Sequence, residues 1–219
     1  MIKLERTSVM NLENAIRGAR NPMNSWARSD SMWVELEDWQ KADTGESYEF
    51  RIGPNDLDLL MRLRSSGTDH RKFLRQIFVT VDITAPLYWW KEADTYKVAT
   101  VANSCSTMHK IQAKAFTPAD FSIEHLSAKA MKAMQTVIDQ LNESRDLFNA
   151  TKDKAHWWDM IQLLPTSYNQ MRTWTCNYET LNGIYRSRKD HKLDEWHAFC
   201  DWIRTLPYAK ELIIGEENW

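Results

Sequence analysis

Glycine is scarce in this chain, with six in 219 residues, where an average usage of about 7% would give roughly 15. No G-x-G-x-x-G or G-x-x-x-x-G-K occurs, so a fold built on glycine-rich phosphate loops is disfavoured. No apolar run approaches the ~18 residues needed to cross a bilayer. Met1-Ile2-Lys3-Leu4-Glu5 lacks the basic start and apolar middle of a signal peptide, and a cytoplasmic protein without membrane contact is expected. Cysteine is sparse too: Cys105, Cys176 and Cys200 cannot all pair within one chain, so reduced thiols are expected rather than a disulfide framework. An excess of positive charge is also missing. The 28 Lys plus Arg face 30 Asp plus Glu, the pI is near 6.3, and a nucleic-acid-binding role is disfavoured. Repeats, low-complexity tracts and hinge-like linkers are absent.

What is present is a core-forming composition, 43% hydrophobic with eleven tryptophans, so the chain can bury a sizeable interior. Ile2 to Val9 reads as a short strand, and Asn11 caps a helix from Leu12 to Arg20 that stops at Asn21-Pro22. Residues 24–49 mix polar and aromatic side chains without a clean period (Asn24, Ser25, Ser29, Asp30, Ser31, Trp33, Trp39, Asp43, Gly45) and are expected to form a loop or flap. Pro54-Asn55 opens a helix with Leu57, Leu60, Met61 and Leu63 at helical spacing, and Gly67 supplies a left-handed stop. Ile77 to Ile83 is β-branched with apolar residues at 77, 79, 81 and 83, the pattern of a core strand. Ala85-Pro86 then opens an aromatic helix, Leu87-Tyr88-Trp89-Trp90. Extended structure at Val98 to Val101 precedes a Ser/Thr/Asn loop at 103–107. Ala128 to Phe148 carries Met131, Met134, Val137, Ile138, Leu141 and Leu147 close to a 3.6 period. A helix over 155–164, a strand over 171–176, a helix capped by Asn177 and running to Arg188, and a last helix over 193–206 complete the chain. The expected class is α+β, one domain over residues 1–219, with a mixed sheet and packed helices.

Several clusters bear on chemistry. Arg62, Arg64, His70, Arg71, Lys72 and Arg75 crowd around the Gly67 turn with only Asp69 opposing them; such a run suits an anionic ligand group and equally suits a solvated helix face. Arg186, Arg188, Lys189 and Lys192 end the helix that starts after Asn177, where cations also complement the helix dipole. Cys105-x-x-x-His109 and His197-x-x-Cys200 match no common zinc module, and no metal site is expected. Cys105 with His109 as nucleophile and base lacks an evident orienting partner. The tryptophans at 89, 90, 157, 158, 174, 196 and 202 serve a core or a subunit interface, with stacking on a planar ligand as the alternative.

The order of elements and two segments resemble the flavin-dependent thymidylate synthases, homotetrameric enzymes that methylate deoxyuridylate using FAD. Leu164-Pro165, then Trp174-Thr175-x-Asn177-x-x-x-Leu181 and Arg188, are similar to one family segment. Asp69-His70-Arg71 before the strand, with Ala85-Pro86 after it, resembles the family's Gly-His-Arg turn and the helix that follows. In the same register the family's Arg-His-Arg, seven residues, Ser signature corresponds to Thr95-Tyr96-Lys97, seven residues, Cys105. The family arginine that grips the nucleotide phosphate falls at Thr107, its acidic residue two before the Ser at Asn103, and its arginine after the Asn at Glu179; Ile161-Gln162-Leu163 stands before Leu164-Pro165 without the family's Arg.

The resemblance implies an FAD site at a subunit interface formed by His70, Arg71, Lys97 and Asn177. It implies a nucleotide-like small molecule held by Cys105 and Arg188, in a homo-oligomer, a tetramer by likeness to the family; no catalytic residue is assigned. Each lost arginine removes a charge-assisted bond worth about 1.5–3 kcal/mol, so thymidylate synthesis itself is not expected to survive. The alternative is a catalytically inactive oligomeric ligand-binding or assembly protein that keeps the fold.

Overall fold

The structure, a computed structural model, describes residues 2–215; Met1 and residues 216–219 lie outside it, as do the side chains of Asp43 and Thr44. The main sheet contains β1 (Lys3–Met10), β4 (Phe78–Pro86), β6 (Asn169–Asn177) and β5 (Val101–Ser104), in the order β1-β4-β6-β5. Every pairing in it is antiparallel, so the α+β class holds with no parallel pair among the described strands. Alternation along β4 sets the layers. Val79, Val81, Ile83 and Ala85 are buried, whereas Phe78, Thr80, Asp82 and Thr84 face the other way, as period-2 geometry requires.

Helices cover the first face. These are α1 (Leu12–Arg20), α3 (Pro54–Ser65), α4 (Leu87–Ala93), α8 (Tyr178–Arg188) and α9 (Asp194–Thr205), followed by a π-helical segment Ala209–Ile214. Trp89, Trp90 and Trp196 are fully buried there, and Trp89 touches Trp90, Trp196 and Phe199 at ring-centroid distances of 4.9, 4.8 and 5.6 Å. At about 25 cal/mol per Å², each such ring contributes ~4–6 kcal/mol before entropy is counted. A second apolar cluster (Met134, Ile138, Leu141, Met160, Phe116, Phe121) joins α6 (Ala128–Thr151) and α7 (Lys154–Leu163) to the 111–121 segment. Of the stripe expected on α6, Met131 and Leu147 remain exposed.

Residues 24–49 are not a loop throughout. β2 (Met32–Glu35) and β3 (Tyr48–Arg51) pair antiparallel around α2 (Asp38–Thr44), with Trp33 edge-on to Phe50 at 5.3 Å. The anchor lies outside the segment. Asp56 on α3 is wholly buried and accepts from Arg20 Nε (2.5 Å), Ser29 Oγ (2.7 Å), Ser31 Oγ (2.6 Å) and the backbone of Asp30 and Ser31. Asp30 in turn accepts from the backbone N–H groups of Asn55 and Asp56 at the start of α3. Strands of four residues with only Val34 and Phe50 half-buried leave no sequence period. The strand expected at 98–101 begins only at Val101, because Ala99 adopts a left-handed turn (φ 58°), and it runs on through Asn103 and Ser104 into the expected loop.

Candidate functional site

Helix α8 is the spine on which most of the candidate residues gather. Asn177, 3% exposed, caps it, its Oδ1 accepting from Thr180 N at 2.9 Å. Glu179 in the first turn accepts from Arg71 Nε at 3.0 Å. The Thr180 hydroxyl reaches the Val98 carbonyl at 3.4 Å, next to exposed Lys97. His70 immediately precedes the 3-10 segment Arg71–Gln76, which packs against α8. Thus His70, Arg71, Lys97 and Asn177 lie around the N-terminal end of one helix.

Arg71 and Arg188 are already engaged. Arg188 ends α8 and donates through Nη1 to Glu92 Oε2 (2.6 Å) and through Nε to the Tyr96 hydroxyl (2.8 Å), with its guanidinium 4.7 Å above Trp196. The same Glu92 oxygen accepts from Trp196 Nε1 at 3.0 Å and lies 3.3 Å from His191 Nε2. The helix carries Arg188 roughly 16 Å from Asn177 at 1.5 Å per residue, so within one chain the two stand at opposite ends of α8. Cys105 stands farther off. Its N–H donates to the Met171 carbonyl, about 20 Å along β6 from Asn177 at ~3.4 Å per residue. Ser106, not Cys105, is the hydrogen-bond partner of His109, with Oγ 2.7 Å from Nδ1.

The basic run around Gly67 divides by partner. Arg62 pairs with Asp58 at 2.9 Å. Arg64 donates to the Leu212 and Ile213 carbonyls, and burial, with Arg186 and Arg71 nearby, lowers its pKa. His70 and Lys72 have no ionic partner among the described residues. Both line a cleft of about 620 Å³ with Asn21, Gln76, Pro22 and Phe73. At Gly18 on its wall, a Cβ would stand 2.8 Å from Gln76 Oε1, the far end of a flexible side chain that lies against the glycine. Glu179 Oε2 is buried without a hydrogen-bond partner, an acceptor available to an N–H or O–H donor.

The Glu92–Arg188–Tyr96–Trp196 cluster and the Arg71–Glu179 pair were not legible beforehand. Helical i, i+3 and i, i+4 spacing marks contacts within one element, and these contacts join separate elements. The three cysteines are free, Cys105 exposed and Cys176 and Cys200 buried; burial is the main cause pushing the Cys200 thiol up to about 11. Among the described residues no helix is long and apolar enough to cross a membrane.

No protein-family model and no curated protein matches the chain. Solved structures do. The chain is similar to thymidylate synthase X (ThyX) from Helicobacter pylori with FAD and dUMP, with TM-score 0.68 and 15% identity over 98% of each chain. It is similar to the flavin-dependent thymidylate synthase ThyX of the same organism complexed with FAD and dUMP, with TM-score 0.65 and 15% identity over 97% of each. It is also similar to the UMP/dUMP methylase PolB from Streptomyces cacaoi bound with 5-Br dUMP, with TM-score 0.56 and 11% identity over 94% of this chain and 89% of that one. The chain has the flavin-dependent thymidylate synthase fold.

Proposed function

We propose that this chain is a divergent protein of that fold which holds FAD and a nucleotide-like small molecule at a junction between subunits of a cytoplasmic homotetramer, and that it does not make thymidylate. All of residues 1–219 act as one domain. The observation that carries this reading is the cleft beside His70. Its volume of about 620 Å³ suits a planar ring system, and Lys72 supplies positive charge beside it, with the His70 imidazole and the Asp69 carboxylate on the same wall. The Asn21 and Gln76 amides offer paired donors and acceptors, the Gln76 amide lying against Gly18. A bound flavin would supply hydride chemistry; the chain's share is to bind it, orient it and exclude water. His70, Arg71, Lys97 and Asn177 serve the cofactor, Cys105 and Arg188 the nucleotide.

Arg71 is paired through Nε with Glu179 and Arg188 through Nη1 with Glu92, so each guanidinium is already neutralised by a carboxylate of its own chain, which weakens any grip on phosphate, and Thr107 stands where the family has another arginine. These pairs also favour a second reading, an assembly protein of the same fold that binds neither ligand. Titration of the purified chain with FAD, followed by flavin fluorescence, separates the two. The expected result is saturable binding that His70→Ala with Lys72→Ala weakens at least tenfold, and no methylation of dUMP. A folded wild-type chain that ignores FAD would leave only the second reading, and methylated dUMP would overturn the loss of synthesis.

A further inference from the structure

Among the described residues, no carboxylate neutralises Arg64. It stands in the last turn of α3, where Nε donates to the Leu212 carbonyl at 3.0 Å and Nη2 to the Ile213 carbonyl at 2.9 Å. Both acceptors are neutral, and together they take one edge of the guanidinium fork. Burial and two further cations, Arg186 and Arg71, lower its pKa. The turn beyond the π-helical segment is shaped to this side chain: Gly215 has φ 75°, and a Cβ there would collide with Arg64 Nη1. A charge withdrawn from water is ordinarily paired. Held by neutral partners alone, the guanidinium keeps its other edge, Nη1 with the second N–H of Nη2, for an anion.

Arg64 lines a cleft of about 810 Å³ between α3 and the Ala209–Ile214 segment. Exposed Lys210 lines it too and has no ionic partner among the described residues. Of the two carboxylates in the cleft, Asp58 is taken by Arg62 at 2.9 Å, and Glu211 makes no ion pair with Arg64 or Lys210. Leu57 and Met61, one turn apart on α3, supply an apolar wall, with Met61 38% exposed. The planar fork matches a carboxylate through two parallel bonds. Glu211 beside it penalises a doubly charged phosphate more than a singly charged carboxylate.

We infer that this cleft binds a carboxylate carried on an apolar stem, with Arg64 gripping both oxygens, Lys210 adding charge, and Leu57 and Met61 covering the stem. Two sources have that chemistry: a small-molecule acid, and the side chains of Glu216 and Glu217, which follow Gly215 in the sequence. No residue lines both this cleft and the one beside His70, so the inference stands or falls apart from the flavin reading.

Calorimetric titration of the full chain with hexanoate at low salt, against hexan-1-ol as the uncharged counterpart, tests it. Hexanoate should bind saturably and hexan-1-ol should not. Binding to wild type assigns the cleft to a small-molecule acid, whereas binding that emerges only in Glu216→Gln with Glu217→Gln assigns it to the chain's own carboxylates. In whichever form binds, Arg64→Lys keeps the charge but loses the fork, and should weaken hexanoate by about tenfold or more. Lys210→Gln, at an exposed position, should weaken it by a smaller factor and carries the test if Arg64→Lys fails to fold in a thermal melt. No hexanoate binding in either form, equal binding of hexan-1-ol, or unchanged affinity in the folded variants would overturn the inference.

Discussion

Glu92→Gln is the perturbation that separates a closed nucleotide site from an absent one. Glu92 Oε2 holds Arg188 Nη1 at 2.6 Å, while Tyr96 and the Trp196 ring hold the rest of the guanidinium. Glutamine removes the charge but leaves an oxygen for Trp196 Nε1. The ion pair is partly exposed, 18% and 34% for the two side chains, so its loss should cost about 1 kcal/mol, a fall of about 2 °C in Tm for a chain of this length. The released guanidinium keeps its stacked orientation and gains the ability to donate to phosphate. A charge-assisted bond of about 1.5–3 kcal/mol corresponds to a roughly 10- to 150-fold change in Kd. Calorimetric titration with dUMP at low salt should therefore show tightening of at least tenfold, and titration with deoxyuridine, which has no phosphate, should show none. If dUMP binds Glu92→Gln no better than wild type while the melt shifts by only a few degrees, Arg188 is a structural residue and has no place in a nucleotide site.

Asp56→Asn leaves the buried Arg20 guanidinium, 5% exposed, without its counter-charge, and should cost about 3–5 kcal/mol, a fall of ~6–10 °C in a circular-dichroism melt. Burial pushes the Asp56 carboxyl up, but hydrogen bonds from Ser31, Ser29 and Arg20 more than reverse this, and its pKa lies below the ordinary 3.8. The stability it contributes is thus present above that value and lost as pH falls through the lower folded value, so wild type should lose its advantage over Asp56→Asn in acid melts below about pH 4. In a thiol-reagent titration of native protein one cysteine per chain, Cys105, should react promptly, and all three should react in guanidinium; prompt reaction of Cys176 or Cys200 would contradict their burial. Asn177→Ala should cost about 1 kcal/mol as a lost cap, and Asn177→Asp, which keeps the accepting oxygen, should restore the melt. If the Asn177 amide also donates to a flavin, Asn177→Asp alone should still weaken FAD binding in the fluorescence titration.

Much of the fold was legible because local rules and tertiary packing agree. Asn21-Pro22 stops α1 and Asn177 caps α8 where propensity expects them, and the alternation over 77–83 marks β4 because one face of that strand is buried. Legibility failed where the cause lay far along the chain. The 24–49 segment is held by a carboxylate at residue 56, and β5 starts at 101 because one alanine turns left-handed.

The candidate site divides along the same line. Residue types and spacing along the chain determined which side chains are available: His70, Arg71, Lys97, Cys105, Asn177 and Arg188. Only the tertiary structure decided what each is free to do. It closes Arg71 on Glu179 and Arg188 on Glu92, leaves His70 and Lys72 facing a cleft, and holds Cys105 at the far end of β6. Helix and strand periodicity follow from dihedral sterics within a few residues, whereas the ionic state of an arginine depends on which carboxylate folding delivers to it, 96 positions away in the case of Arg188.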